Sequence, residues 1–374
     1  MDRLRPPRDE LASLVPYAAK LARAEIDLSA NENPRNLPGE LLERLRSRMR
    51  DIPYNRYPDP MAEGLRELIA RANGLEPANI LVGNGGDELL LDMVLAWGGP
   101  GRRLLTAPPT FVMYEIDARM TGTEVVAVPR REDFSVDEEA VLAAVEEGVD
   151  IVMLSNPNNP TGTLTPESFL MELLDATDAL VVVDEAYFEF SRHTMRHHMP
   201  RHKNLVILRT FSKAFSLAGL RVGYLLAHED VVLELTKVRQ PYSVNSFSQM
   251  AAATVFNERA VFESAIDEVL RGRDFLGEGL GRMAGVEVFP SDANFILFRV
   301  EHASALWRDL LHEHSILVRD FSRTPYLEDC LRVTVGTPAE NEAFIEAMDE
   351  LMARRRASEI LGMSAVAERH QNGD

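Results

Sequence analysis

Between residues 79 and 226 this chain returns repeatedly to short apolar, mostly β-branched runs, and several of them have no polar face. The runs are Asn79–Val82, Arg103–Ala107, Glu124–Val128, Ile151–Leu154, Ala179–Val183, Leu205–Leu208 and Val222–Leu226. Ile-Val-Met-Leu at 151–154 and Leu-Val-Val-Val at 180–183 would leave apolar side chains in water on either side of a strand, so both faces must be covered. Longer stretches with helical spacing, such as Asp87–Trp97 and Pro166–Ala176, lie between the runs. That alternation predicts an α/β fold: a mainly parallel, seven-stranded sheet flanked by helices.

The pattern changes after about residue 230. Asp230–Arg282 reads as mostly helical, and two strand-like segments, Asn294–Val300 and Leu331–Val335, flank a helix around Ser304–His314. This predicts a second, smaller α+β domain. The expected division is an N-terminal segment over 1–45 that packs on the small domain or on a partner, a large domain over 46–275, and a small domain over 276–374 that ends in a frayed helical tail from Ala353.

Charge and cysteine content narrow the function. With 40 Lys and Arg against 59 Asp and Glu, the net charge is −19, which disfavours nucleic acid and anionic membrane surfaces. An anionic ligand would need a locally built site. The single cysteine, Cys330, excludes an internal disulfide framework and a Cys-rich metal site, and fits a reducing cytoplasm. Residues 1–14 have no apolar run and no small-residue cleavage site, so no signal peptide is expected. No stretch approaches the ~18 apolar residues of a membrane span.

Four polar clusters follow strand candidates, where α/β sheets place their ligands. Gly83-Asn84-Gly85-Gly86-Asp87-Glu88 is either a tight turn or a backbone cradle for an anion at a helix N-terminus. Asn156-Pro157-Asn158-Asn159-Pro160-Thr161-Gly162 is either a rigid turn or a way of presenting the Asn159 amide. Asp184-Glu185-Ala186-Tyr187 leaves an apolar strand, so Asp184 is either a helix cap or a desolvated carboxylate that needs a cationic partner. In Thr210-Phe211-Ser212-Lys213-Ala214-Phe215, Lys213 is either an exposed lysine with its aliphatic stem on the surface or, stripped of water by Phe211, Ala214 and Phe215, a neutral, nucleophilic amine, with Ser212 and Arg221 close by for a phosphate. One ligand meets all four needs: a phosphate, an aldehyde for a lysine, and a cationic ring nitrogen for an aspartate. Pyridoxal 5'-phosphate carries all three.

The chain resembles the fold-type-I pyridoxal-phosphate aminotransferases, class II, and within them the histidinol-phosphate aminotransferases. The resemblance runs from about Leu14 to Thr337. It rests on Thr-Phe-Ser-Lys-Ala-Phe-Ser-Leu-Ala-Gly (210–219), then on Asn-Asn-Pro-Thr-Gly, Asp-Glu-Ala-Tyr and Leu-Arg-Val-Thr-Val-Gly-Thr in the right order. Pro16-Tyr17, Asn31-Glu32-Asn33-Pro34 and Asn55-Arg56-Tyr57-Pro58 are similar to the histidinol-phosphate branch.

The resemblance implies roles for single residues. Lys213 would hold the cofactor covalently and act as the general base. Asp184 would pair with the pyridine nitrogen. Asn159 and Tyr187 would hydrogen-bond the ring's phenolate oxygen, with Asn159 also near substrate. Phe111 would stack on the ring, at a position where many relatives have Tyr. Gly85, Gly86, Asp87, Thr210, Ser212 and Arg221 would surround the phosphate. Tyr57 would reach the phosphate in a neighbouring subunit, making a homodimer with shared sites. Arg332 would clamp the substrate carboxylate, the alternative being a surface ion pair, and Tyr17 would stand on the substrate side.

The implied reaction is transamination between histidinol phosphate and 2-oxoglutarate, giving imidazole acetol phosphate and glutamate in histidine biosynthesis. The competing readings are an aromatic or other amino-acid aminotransferase, and a threonine-phosphate decarboxylase-like enzyme. A ligand-sensing regulator would need an added DNA-binding domain and a different charge. His193, His197, His198 and His202 fall in a basic loop, Ser191–Lys203, with no carboxylate spaced to help them bind a metal. That loop reads as solvated, with no metal site expected.

Overall fold

The computed structural model describes residues 5, 8, 11 and 22–371. The chain forms two compact units. The larger contains Arg35–Asp267 and Pro290–Ala293, and the smaller contains 22–34, Glu268–Phe289 and 294–371.

A two-residue strand, β1 (Ile26–Asp27), comes first and belongs to the smaller unit. The strands of the larger unit follow: β2 (Ile80–Gly83), β3 (Arg103–Thr106), β4 (Glu124–Ala127), β5 (Ile151–Ser155), β6 (Leu180–Asp184), β7 (Leu205–Thr210) and β8 (Gly223–Leu226). They form one seven-stranded sheet in the order β2-β8-β7-β6-β5-β3-β4. Only β8 runs antiparallel to its neighbours, and all other pairs are parallel. Every expected run is a strand, with ends moved by one or two residues.

The runs without a polar face are buried along their whole length in β5, β6 and β7. The outer strand β4 is not buried, as suits an edge. The helix Gly86–Trp97 turns Leu89, Leu90, Met93 and Val94 onto the sheet, where they meet Leu81, Leu208 and Leu225. This is the one-sided apolar stripe expected of a covering helix, and truncating one such leucine to alanine costs about 2–5 kcal/mol.

Register brings the polar strand ends together. Gly83 of β2 pairs with Gly223 of β8, and Gly223 in turn pairs with Thr210 of β7. Ser155 of β5 pairs with Asp184 of β6, beside Leu208 of β7. Because β8 is reversed, its first residue lies beside the last residues of its neighbours. The segment Arg221–Gly223 therefore reaches the same sheet edge as the carboxyl ends of the parallel strands.

The smaller unit adds β9 (Val286–Val288), β10 (Phe295–Val300), β11 (Ile316–Leu317), β12 (Arg319–Asp320) and β13 (Cys330–Thr334). Its antiparallel sheet has the order β12-β13-β10-β9, while β1 pairs in parallel with β11. The helices Ala303–His314 and Pro338–Gln371 accompany it. Asn31 is a buried pin in this unit. It takes a left-handed φ of 55°, receives Asn294 Nδ2 on its carbonyl at 3.1 Å and donates its backbone N–H to Thr334 Oγ1 at 2.9 Å. No helix among the described residues is long and apolar enough to cross a membrane.

Candidate active site

A cavity of about 150 Å³ opens at that sheet edge, within the larger unit, and Lys213, Asp184, Asn159, Tyr187, Phe111 and Arg221 line it. Gly86, Asp87, Thr210 and Ser212 line it as well. Residues scattered over more than a hundred positions of sequence thus share one pocket.

One end of the cavity is an anion cradle. Gly85 has a φ of 84° and precedes the first turn of the helix Gly86–Trp97. A Cβ on Gly85 would stand 2.6 Å from Arg221 Nη2, and one on Gly223 would stand 2.6 Å from the Gly86 nitrogen. Backbone bars a side chain at Gly223 and the positive φ disfavours one at Gly85, so backbone N–H groups at the helix start stay accessible to an anion. Arg221 Nη2 donates to Asp87 Oδ2 at 2.8 Å and Nη1 to Ser212 Oγ at 3.4 Å. The Ser212 backbone N–H donates to Thr210 Oγ1 at 3.0 Å, which fixes the turn. The Arg221 and Asp87 side chains are 45% and 49% exposed. An ion pair this wet is worth at most about 1 kcal/mol, so the guanidinium can turn to a phosphate at little cost.

The other end is dry. Asp184 is 6% exposed and Tyr114 is fully buried. The Tyr114 hydroxyl donates to Asp184 Oδ2 at 2.7 Å, and the Ala186 N–H donates to Oδ1 at 3.0 Å. Burial pushes the Asp184 carboxyl up to about 6, while the Tyr114 and Ala186 hydrogen bonds pull it back. Burial, with the carboxylate beside it, pushes the Tyr114 phenol well above its ordinary value, so it remains a donor. Asp184 is not a helix cap, because Tyr187 occupies that position before Phe188–Ser191. A cation placed against Asp184 would relieve the desolvation that raises it.

Glu185, the next residue, points the other way and serves the fold. Its Oε2 accepts from Arg209 Nη2 at 2.8 Å and Nε at 3.0 Å, and its Oε1 accepts from the Met195 N–H at 2.8 Å. Both side chains of the pair are buried, and the Arg209 guanidinium stands 3.6 Å from the Phe188 ring centre.

The asparagine loop divides its work in a similar way. Asn158 is fully buried and holds Pro109 O, Thr161 and Thr110 through its amide. Asn156 Oδ1 accepts the Thr165 N–H. Asn159 is the asparagine that faces the cavity. Phe111 is half-buried, with its ring edge-on to Tyr114 at 5.7 Å.

The lysine turn corrects one expectation. Phe211 and Phe215 are not among the residues that line the cavity with Lys213. They turn into an aromatic core with Tyr224, Phe256 and Phe262, and Phe215 lines a separate cavity of about 310 Å³ with Arg209 and Tyr224. Their role is to anchor the turn, which the Leu217 N–H closes onto Phe211 O at 3.1 Å. Lys213 itself is half-buried.

Tyr57 and Arg332 are not among the residues that line this cavity. Tyr57 is 81% exposed and stacks on Tyr242 at 4.7 Å. Arg332, in the smaller unit, is 6% exposed and therefore not a surface ion pair. It donates to Ser29 O at 2.8 Å and lies over the rings of Phe295 and Phe321. Tyr17 lies outside the described residues. The histidine loop, read as lacking a helpful carboxylate, receives one from a distant segment: Glu167 meets His197 and His198.

A family model described as aminotransferase class I and II matches residues 23–348. The chain belongs to that aminotransferase family. Histidinol-phosphate aminotransferase 1 of Carboxydothermus hydrogenoformans is 45% identical over 349 residues, spanning 92% of this chain and 98% of that protein. The histidinol-phosphate aminotransferase of Thermococcus kodakarensis is 39% identical over 343 residues, spanning 92% and 97%. Among solved structures, histidinol-phosphate aminotransferase from Sinorhizobium meliloti in complex with pyridoxal-5'-phosphate superposes with a TM-score of 0.85 at 26% identity, covering 95% of this chain and 98% of that one. L-threonine-O-3-phosphate decarboxylase from Porphyromonas gingivalis superposes with a TM-score of 0.78 at 31% identity, covering 88% and 99%.

Within this aminotransferase, sequence reasoning missed Tyr114 and the Glu185–Arg209 pair. Tyr114 sits in an amphipathic helix and reads as core. Only the packing of that helix on the sheet, over β3 and β4, brings its hydroxyl to Asp184. The one available signal for Glu185 was its place next to Asp184 at a buried strand end, where strand alternation sends neighbours to opposite faces.

Proposed function

We propose that this chain is a pyridoxal-phosphate-dependent histidinol-phosphate aminotransferase, with 2-oxoglutarate as amino acceptor and imidazole acetol phosphate and glutamate as products, in histidine biosynthesis. The observation that carries the reading is the placement of Lys213 in one cavity with a dry carboxylate at one end and an anion cradle at the other. The residues fit the cofactor: two glycines whose Cβ positions are filled leave a backbone cradle for a phosphate, and Asp184 awaits a cation. The names of the relatives support the substrate.

When bound, pyridoxal phosphate supplies an aldehyde for a lysine and a cationic ring that accepts electrons from the substrate Cα. Gly85, Gly86, Ser212 and Arg221 hold its phosphate, with Asp87 and Thr210 positioning the last two. Asp184, oriented by Tyr114, keeps the ring nitrogen protonated. Asn159 and Tyr187 donate to the ring oxygen, and Phe111 covers the ring face. Lys213 Nζ holds the cofactor and then moves the proton from the substrate Cα. Arg332 receives the substrate carboxylate in the two-pronged manner for which guanidinium is suited, and Tyr17 stands on the substrate side. Tyr57, exposed beside Tyr242, serves the site of a second copy in a homodimer. The enzyme works in the cytoplasm.

Mixing the cofactor-loaded enzyme with L-histidinol phosphate alone tests this. The expected result is a single-turnover change in cofactor absorbance, reversed by 2-oxoglutarate, with ping-pong kinetics at steady state. No change with this donor, but a change with aromatic amino acids, would assign the chain to another aminotransferase. The likeness to a threonine-phosphate decarboxylase gives a second reading, which carbon dioxide release from O-phosphothreonine without oxo-acid turnover would favour.

A further inference from the structure

Away from the cavity, two adjacent histidines aim at one point. His197 and His198 belong to the tight turn Arg196–His198, and Glu167 opens the helix Glu167–Ala176. His197 Nε2 lies 2.9 Å and His198 Nε2 2.7 Å from the same oxygen, Glu167 Oε1. The two rings are 4.0 Å apart and tilted by 46°. One ligand atom from each of the three residues lies within 4.8 Å of the other two. Consecutive side chains normally diverge, so this convergence of two ring nitrogens on one carboxylate is the arrangement to explain.

We propose that Glu167, His197 and His198 form a divalent transition-metal site of the zinc class. Two imidazoles and a carboxylate are borderline donors that select zinc, copper, nickel or cobalt over magnesium and calcium, which prefer all-oxygen shells. On binding, the ion takes the Nε2 lone pair of each neutral imidazole and an oxygen of the carboxylate; each ring keeps its one proton on Nδ1, so no further bond changes. Ligands about 2.0–2.1 Å from a tetrahedral ion stand roughly 3.3 Å apart, so the two Nε2···Oε1 separations must each open by about half an ångström. His198 is 16% exposed and can act as the fixed ligand, while His197 and Glu167, at 50% and 54%, adjust. Water completes the shell. His202 is not part of the cluster; it faces Asp175 at 3.8 Å.

The site would tie two segments of the larger unit together. The loop Ser191–Lys203 joins β6, which ends in Asp184, to β7, which leads to Lys213. It is already pinned by Met195 to Glu185. A metal clamp at Glu167 adds a second fixed point without touching the catalytic cavity, so its effect is on stability rather than turnover.

The test uses the chelator-stripped, cofactor-loaded enzyme titrated with zinc by calorimetry, alongside the double variant His197→Ala/His198→Ala and the single variant Glu167→Gln. Native enzyme should bind one more equivalent of zinc per chain than the double variant. Glu167→Gln should weaken that equivalent by ~tenfold or more, and magnesium should not compete. Saturating zinc should raise the melting temperature of the native enzyme by about 2–4 °C or more, and leave that of the double variant unchanged. Retention of transaminase activity by the variants certifies their fold. Equal zinc uptake by native and double variant, or no uptake by either below ~1 mM, would overturn the proposal.

Discussion

The two ends of the candidate active-site cavity are built on opposite terms. At the Asp184 end the carboxylate and its tyrosine are buried, and each carboxylate oxygen accepts a hydrogen bond: Tyr114 on one, the Ala186 N–H on the other. At the Arg221 end the charges are half-exposed and paired with each other until an anion arrives. A buried group fixed before the ligand binds can set the electronic character of that ligand, because no solvent competes. An exposed pair can exchange partners cheaply, and so governs capture more than chemistry.

Substitutions along the cavity should grade accordingly. Lys213→Ala should be the most severe, removing both covalent attachment and roughly 10²–10⁴-fold of general-base catalysis. Borohydride trapping followed by peptide mass analysis checks it, and a trapped adduct on the variant chain would identify a different lysine.

Asp184→Asn should follow, with kcat down roughly 10²–10³-fold, the scale of losing one preorganised electrostatic partner. The same variant makes a stability prediction of opposite sign. The Asp184 carboxyl sits at about 6 in the folded protein against an ordinary 3.8. The folded state therefore binds this proton more tightly than the unfolded one, and stability is lost as pH rises from 3.8 through about 6. In the cofactor-free protein, melting curves should show the variant gaining on the native enzyme between about pH 4 and 6, with the difference levelling off above that. A constant difference across that range would mean that the dry end is wetter than it looks.

Tyr114→Phe deletes one hydrogen bond to a charged oxygen, worth about 1.5–3 kcal/mol in isolation. It should lower kcat by roughly tenfold while leaving KM near its native value, read from steady-state kinetics. The smallest effect belongs to the open end. Asp87→Asn should change the unfolding free energy by less than about 1 kcal/mol in denaturant melts. A larger change would show that the pair is structural after all.

Much of this was legible in the sequence, for reasons that are specific. The parallel sheet shows because strands covered on both faces leave no polar residue in runs such as Ile151–Leu154, and Lys213 shows because its flanking residues form a long unbroken motif. Tyr114, Glu167 and Arg209 did not show. Each gains its partner from a segment tens of residues away, and nothing local distinguishes a tyrosine that will face a carboxylate from one that will fill the core. Phe211 and Phe215 misled in the other direction: proximity in sequence to Lys213 suggested a coat, whereas the turn sends their rings into the interior. Asn31 also changed meaning. A residue noted for its resemblance to one branch of a family proves to be a buried, hydrogen-bonded pin of the smaller unit, so that stretch speaks at least partly of packing.

The reversed strand β8 has a consequence for how such a chain matures. It joins β2, at the near end of the sheet-forming sequence, to β7, at the far end, and the two glycines of the anion cradle meet only across that join. Closing so long a loop is entropically slow. During synthesis, the cradle cannot exist until residues beyond Leu226 have cleared the ribosome. Capture of a phosphate there would act as a seal on a finished sheet, and not as a template around which an unfinished one could gather.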